Sequence, residues 1–318
     1  MDDLVFDGNV LALCGGVGGA KLAWGLAQVL SPEQLTVVVN TGDDFAHLGF
    51  HVSPDLDTVM YTLAGINNRE SGWGLAGETW SFMHALETLG GETWFRLGDR
   101  DLATHVSRTQ QLVHGKTLSE VTLQLCAHHG IQQRVLPMSD DAVRTFVDTD
   151  QGELPFQYYF VREQCRPRVS RVRFEGAGKA RMSPAVTAAL SDPHLRAVII
   201  CPSNPLLSIA PILAVPGMRE ALLATTARVI AVSPLVGGQA IKGPTAKMMQ
   251  DMAIPTTSGS IADFYAGLLD GMVVDSVDAG DAETLRISGL DVLVCQTWMK
   301  SDEDKQALAR RLLDWRVD

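Results

Sequence analysis

Five runs of the chain are apolar almost without interruption: Val10–Cys14, Thr36–Asn40, Ala197–Cys201, Arg228–Ser233 and Asp291–Gln296. Runs of this length that do not alternate predict parallel strands buried on both faces. Helical patterns lie between them. Thr117 to Glu120 forms a capping box ahead of Val121–His128, and Ser183-Pro184 supplies an N-cap with proline at the first helical position. Ser301 opens a last helix, acidic at its start and basic at Arg310 and Arg311, which suits the helix dipole. Strands alternating with helices predict an α/β fold, a doubly wound (Rossmann-like), mostly parallel sheet.

The pattern changes from about Arg134 to Glu175. Thr145–Asp148 and Phe156–Val161 flank a turn-like Asp148-Thr149-Asp150-Gln151-Gly152, and Val169–Phe174 alternates again. This predicts a small antiparallel β insertion. The expected organisation is therefore a core in two parts, residues 1–133 and 176–318, interrupted by an insertion at 134–175.

Composition narrows the function classes. A formal charge of −11 with no basic stripe excludes a general nucleic-acid binder. The five cysteines are scattered without a C-x-x-C pair, so neither a zinc site nor a disulfide framework is expected, and a reducing cytoplasm is the simplest setting. No signal peptide and no membrane span are expected, since no run of about eighteen apolar residues occurs.

In a doubly wound sheet, ligands bind at the carboxyl ends of the strands. The loops there are Gly15–Lys21, Thr41–Asp57, Pro202-Ser203-Asn204-Pro205 and Pro234–Gly238, the last continuing to Lys242-Gly243-Pro244. The first reads Gly-Gly-Val-Gly-Gly-Ala-Lys at a helix start. Bare N–H groups and the helix dipole favour phosphate at such a place. It matches neither the P-loop nor a clean dinucleotide fingerprint, so a plain strand–helix turn is the alternative. Of the four carboxylates that follow, Asp55 is assigned to the first turn of the Leu56–Ala64 helix. Asp44 and Asp57 are the candidate Mg²⁺ ligands, because Mg²⁺ is commonly held by one or two carboxylates beside substrate phosphate.

After Leu97-Gly98-Asp99-Arg100, the residues Asp101, Thr104, His105 and Arg108 fall on one helical face. Periodicity alone reads this stripe as solvated surface. Its mixture of acid, hydroxyl, imidazole and guanidinium also suits a phosphate or carboxylate ligand. Ser139 and Asp140 follow a short apolar strand. They are either a turn or a contact to a guanine edge or sugar hydroxyl. Trp73, Trp80 and Trp94 are expected mainly in the core, with a stacking platform as the alternative. His128-His129 is read as a contact at a helix C-terminus.

Taken together, Gly15–Lys21, Val39-Asn40-Thr41-Gly42-Asp43-Asp44, Ser53–Thr58, Leu97–His105, Leu136–Asp141, Pro202–Pro205 and Ser233–Gly237 occur in an order that resembles the 2-phospho-L-lactate transferase family, CofD or FbiA. The likeness runs from the first strand to at least Lys247. It implies a step of coenzyme F420 biosynthesis. A phospho-three-carbon-acid group (phospholactyl, enolpyruvyl or glyceryl phosphate) passes from its guanosine diphosphate ester to the terminal ribityl hydroxyl of the deazaflavin Fo. GMP is released, Mg²⁺ is used, and a homodimer is expected. On that resemblance, Gly16, Val17, Gly18 and Gly19, with Lys21 beyond them, contact the diphosphate. Asp44 and Asp57 bind Mg²⁺ or orient the hydroxyl. Arg100 and His105 contact phosphate or the acid carboxylate, supported by Thr104 and Arg108. Ser203, Asn204, Gly237 and Gly238 line the nucleotide pocket. Two rivals remain: a YvcK-like regulatory protein that binds nucleotide sugars without catalysis, and a nicotinamide dehydrogenase.

Overall fold

The computed structural model describes residues 6–315. The strands, in chain order, are β1 (Asn9–Cys14), β2 (Leu35–Val39), β3 (Phe45–His47), β4 (Phe50–Val52), β5 (Arg134–Pro137), β6 (Arg144–Thr149), β7 (Gly152–Pro155), β8 (Val169–Glu175), β9 (Leu195–Ile200), β10 (Arg228–Val232), β11 (Leu235–Val236), β12 (Gln239–Ala240), β13 (Gly271–Asp275) and β14 (Asp291–Cys295). Among the described residues, seven of them form one parallel sheet in the order β14-β13-β10-β9-β1-β2-β5.

β1 shows why continuous apolar runs become central strands. Val10, Ala12 and Cys14 enter one hydrophobic cluster, and Leu11 and Leu13 enter the cluster on the other face. Both faces need apolar side chains, so alternation disappears. Helices α1 (Gly16–Ala27), α2 (Pro54–Leu63) and α5 (Leu118–His128), with the last helix Asp302–Asp314, cover the first face. Between α2 and α5 lie α3 (Ser81–Thr88) and α4 (Asp99–Val113). No single helix among the described residues is long and apolar enough to cross a membrane.

The chain leaves β1 for β2 and β5 on one side, then crosses back to β9 on the other. The switch point is therefore between β1 and β9. Their carboxyl ends deliver the glycine loop and Pro202-Ser203-Asn204, which face each other.

Several expectations are corrected. Arg134–Pro137 is the edge strand of the main sheet, so the antiparallel unit β7-β6-β8 spans Arg144–Glu175 and not the whole of 134–175. Within it, Phe156–Val161 is not a strand. Pro155 ends β7, and Tyr158–Arg162 is a wide helical turn closed by Glu163 N–H to the Tyr158 carbonyl at 2.8 Å. Phe156 and Phe160, four residues apart, stack at 5.4 Å. A short aromatic run serves a helix face as readily as a strand. β13 and the β3–β4 hairpin were not anticipated.

Candidate active site

The switch point opens into a cleft of about 540 Å³. Its floor is the glycine loop. Gly16 has φ +61, a left-handed conformation that favours glycine, and a Cβ on Gly15 or Gly18 would overlap Asp55 or the Pro202 carbonyl. Ser203 Oγ accepts the Gly15 N–H at 3.2 Å and donates to the Gly15 carbonyl at 2.9 Å, fastening the two loops across the switch point. Asn204 caps the next turn through Oδ1, while its buried Nδ2 has no partner among the described residues. A buried amide donor without a partner is costly unless a ligand supplies one.

Asp55 sits in the first turn of α2 as expected, and from there it also meets the glycine loop. Its Oδ1 accepts the Gly16 N–H at 2.8 Å and its Oδ2 accepts Asn40 Nδ2 at 2.9 Å. It lines the cleft beside Asp43. Burial pushes the Asp55 carboxyl up to about 6, even though Asn40 and Gly16 donate to it, with Asp44 adding repulsion. Burial likewise pushes Asp43 well above the usual carboxylate range, and Asp55 and Asp44 reinforce that. Asp44 is fixed by Ser53 Oγ at 2.8 Å and His51 Nε2 at 3.0 Å and does not line the cleft. The Oδ1 atoms of Asp43 and Asp44 are buried without partners. Three carboxylates thus share one region, and none of them makes an ion pair with a lysine or arginine among the described residues.

Asp57 is handled differently. It forms a two-pronged pair with Arg108, and the second contact, NH1 to Oδ2, is 3.1 Å. Burial raises its carboxyl, against Arg108 and His105, which lower it. His105 Nδ1 lies 3.7 Å from Asp57 and 3.3 Å from Arg108 NH1, and its Nε2 lies 3.4 Å from Asp101. His105 Nε2 is buried and makes no hydrogen bond among the described residues. Tyr61 donates to Asp101 at 2.6 Å and stands 2.8 Å from the Thr104 hydroxyl. The polar stripe of α4 is therefore the buried face, with Arg108 and His105 each 1% exposed, while Val113 on the opposite side is 79% exposed. The packing reverses the ordinary amphipathic reading because Tyr61, Asp57 and Asp101 supply the partners that water would otherwise provide.

The remaining predicted positions divide clearly. Gly16, Val17, Gly18, Lys21, Asp57, His105, Ser203 and Asn204 line the cleft. Gly19 lies just behind, where a Cβ would strike Ser203 Oγ and Cys14. Arg100 does not line it. Its backbone N–H goes to Glu78 and its guanidinium reaches only the Ala76 carbonyl, at 2.8 Å. Ser139 donates to the Arg181 carbonyl, and Asp140 accepts the Ser119 N–H at the start of α5, so both are structural. Gly237 and Gly238 form the β11–β12 turn with φ +63 and +67, and their N–H groups go to Asp278; Val236 faces the cleft instead. Trp73 is half exposed on the cleft wall with Phe95, Phe160 and Trp298. Trp80 carries the Arg96 guanidinium, and Trp94 packs on Tyr158. Asp275, which the sequence did not single out, accepts Thr297 N–H at 2.7 Å and Trp298 N–H at 3.3 Å and so holds the 297–299 wall.

Among the described residues only Asp57, Asp101 and His105 bring three potential metal ligands within 4.8 Å of one another. Arg108 already neutralises that group, which makes it a poor cation site. The Asp43–Asp55 region, with an orphaned carboxylate oxygen and mutual repulsion, fits a divalent cation better.

The chain is similar to known proteins over nearly its whole length. The family model described as "2-phospho-L-lactate transferase CofD" matches residues 10–304. A phosphoenolpyruvate transferase from Streptomyces griseus is 40% identical over 96% of this chain and 98% of its own length. A 2-phospho-L-lactate transferase from Methanosarcina mazei is 37% identical over 94% of this chain and 98% of its own length. A crystal structure of a UPF0052-family protein from Bacillus halodurans superposes with a TM-score of 0.64 over 98% of this chain and all of that one; at 14% identity it speaks for the fold alone. The chain is a transferase and belongs to the CofD family of 2-phospho-L-lactate transferases.

Proposed function

We propose that the protein transfers a phospho-three-carbon-acid group from its guanosine diphosphate ester to the terminal ribityl hydroxyl of the deazaflavin Fo, releasing GMP, in coenzyme F420 biosynthesis. The observation that carries this reading is the pairing of a glycine loop at the switch point with buried carboxylates that lack counter-charge. The relatives named above, which carry both phosphoenolpyruvate and 2-phospho-L-lactate transferase names, support the same reaction class. The loop N–H groups beyond Gly16 receive the diphosphate, since those of Gly15 and Gly16 are held by Ser203 and Asp55. Asp43, with Asp55 beside it, would hold Mg²⁺, whose charge offsets that of the transferring phosphoryl group. Asn204 Nδ2 offers a free donor, and Trp73, Phe95, Phe160 and Trp298 offer flat faces for the heterocycles.

The hydroxyl oxygen forms a new bond to the β-phosphorus. The bond from that phosphorus to the oxygen shared with the α-phosphate breaks, GMP leaves with that oxygen, and the hydroxyl proton passes to solvent. The chain's contribution is alignment: the cleft holds donor and acceptor in line. The test is a coupled assay of GMP release and Fo phosphorylation with the phospholactyl, enolpyruvyl and glyceryl donors, with and without Mg²⁺. Mg²⁺-dependent turnover of one of these is expected. Binding of a nucleotide sugar, with no turnover of any donor, would favour the regulatory reading.

A further inference from the structure

Three cationic side chains line the cleft among the described residues: Lys21, Arg96 and Lys242. Arg96 is laid over the Trp80 ring at 4.1 Å. The two lysines have a different situation. Lys21 Nζ donates to the Met299 carbonyl at 2.9 Å, and Lys242 Nζ donates to the Glu70 carbonyl at 3.1 Å and to that of Ser71. Neither makes an ion pair with a carboxylate among the described residues, unlike Lys247 with Asp251 or Lys305 with Asp302. Carbonyls satisfy hydrogen bonds but leave the charge standing. The two ammonium groups also feel each other: burial pulls the Lys21 ammonium below its ordinary range, and Lys305 and Lys242 add to that.

Their position is informative. Lys21 stands five residues beyond Gly16 on α1, about 7.5 Å along the axis at 1.5 Å per residue. Its ammonium is held at the Met299 carbonyl, on the cleft wall beside the glycine loop. Lys242 comes from the loop after β12 and bridges to the segment that carries Trp73, where a Cβ on Gly72 would meet both Lys242 Nζ and Val17 of the glycine loop. The opposite end of the glycine loop is the acidic one, with Asp43 and Asp55. The cleft is therefore polar end to end, acidic where phosphate and metal would meet and basic beyond.

We propose that Lys21 and Lys242 together receive the carboxylate of the three-carbon acid carried by the donor. This rests on the function proposed above, because the diphosphate is already provided for by loop N–H groups and the metal, and the acid's carboxylate is the donor's remaining negative charge. Both lysines are positioning residues. The acid travels with the phosphoryl group, so these contacts persist as the old bond breaks and the new one forms, and they fix the direction of approach. Lys242 also exchanges its main-chain carbonyl partners for the ligand, which couples the mouth of the cleft to occupancy by a complete donor.

The test uses the full chain and its Lys21→Gln and Lys242→Gln variants. Binding is measured by calorimetry for GDP, for the acid-bearing guanosine diphosphate ester, and for that ester with its carboxylate converted to the carboxamide. Each substitution is expected to weaken the ester about tenfold or more and to change GDP less than about threefold. The carboxamide should bind wild type as weakly as the ester binds the variants, with no further loss when the two changes are combined. Equal loss for GDP and ester would assign the lysines to a phosphate and overturn the proposal. So would an unchanged affinity of either variant for the ester, including the case where Arg96→Gln shows the loss instead. A wild-type protein that binds neither GDP nor ester would instead overturn the function itself. Thermal midpoints within about 2 °C of wild type would show that the variants are folded.

Discussion

Two groups of buried acids stand within reach of the same cleft, and the protein treats them oppositely. Asp57 and Asp101 are compensated by the protein itself, through Arg108, His105 and Tyr61. Asp43, Asp44 and Asp55 are given amides, hydroxyls, one N–H and the imidazole of His51, but no fixed cation. The first group carries its own counter-charge and acts mainly as architecture, although Arg108 Nε and His105 Nε2 are left without hydrogen-bond partners among the described residues. The second is incomplete, and the repulsion within it is relieved when something positive arrives. Acids in one short stretch of sequence therefore have different work, and the counter-charge, not the carboxylate, distinguishes them.

The sharpest way to break this comparison is to neutralise one acid of each group. Asp43→Asn is expected to lower Mg²⁺-dependent turnover by roughly 10²–10³-fold, the scale seen for loss of a dedicated charge-stabilising group. The chain should stay folded, with an equal or higher thermal midpoint because a buried repulsion is removed. Turnover near wild type, or a large fall in stability, would erase the distinction. On the other side, Arg108→Met leaves Asp57 buried without its partner. A cost of about 3–5 kcal/mol in urea unfolding is expected. Less than about 1 kcal/mol would show that the pair is not structural.

A smaller effect sharpens the same contrast. Asp275→Asn weakens the acceptor for Thr297, Trp298 and Val277, costing about 1 kcal/mol and raising KM more than it lowers kcat. Burial pushes the Asp275 carboxyl up, but these N–H donors outweigh it and hold the group below the ordinary carboxylate range. A depressed folded value means the stabilisation is present above the unfolded value near 3.9 and is lost as pH falls through the folded one. Wild type should therefore lose, below about pH 4, a stabilisation that Asp275→Asn never had, seen as converging urea midpoints. Least affected should be Arg100→Ala, within about 0.5 kcal/mol and twofold in turnover, since its guanidinium meets only a carbonyl outside the cleft.

These outcomes also measure how far the sequence could be read. Strands buried on both faces announced themselves as apolar runs, and the doubly wound order placed the cleft correctly. β13 was missed because Gly271-Met272-Val273-Val274-Asp275 offers only three apolar residues in a row. The choice between Asp55 and Asp57 was not readable locally. Two residues apart on a helix, they point about 200° apart at 100° per residue, so only the docking of α2 decides which one meets the glycine loop. α4 misled for the reverse reason. Its polar face looks solvated until Tyr61 and Asp57, forty or more residues earlier than their partners, are brought against it. Ser139, Asp140, Gly237 and Gly238 sit at strand ends as required, but their hydrogen bonds are spent on neighbouring loops.

The hydrogen bond from Lys21 to the Met299 carbonyl, only 2.9 Å long, spans 278 positions of sequence. During synthesis the glycine turn is made 278 residues before the wall that completes its cleft. Chains grow at about 5–20 residues per second. The nascent protein therefore carries half a site for roughly 14–56 s before a whole donor has anywhere to rest.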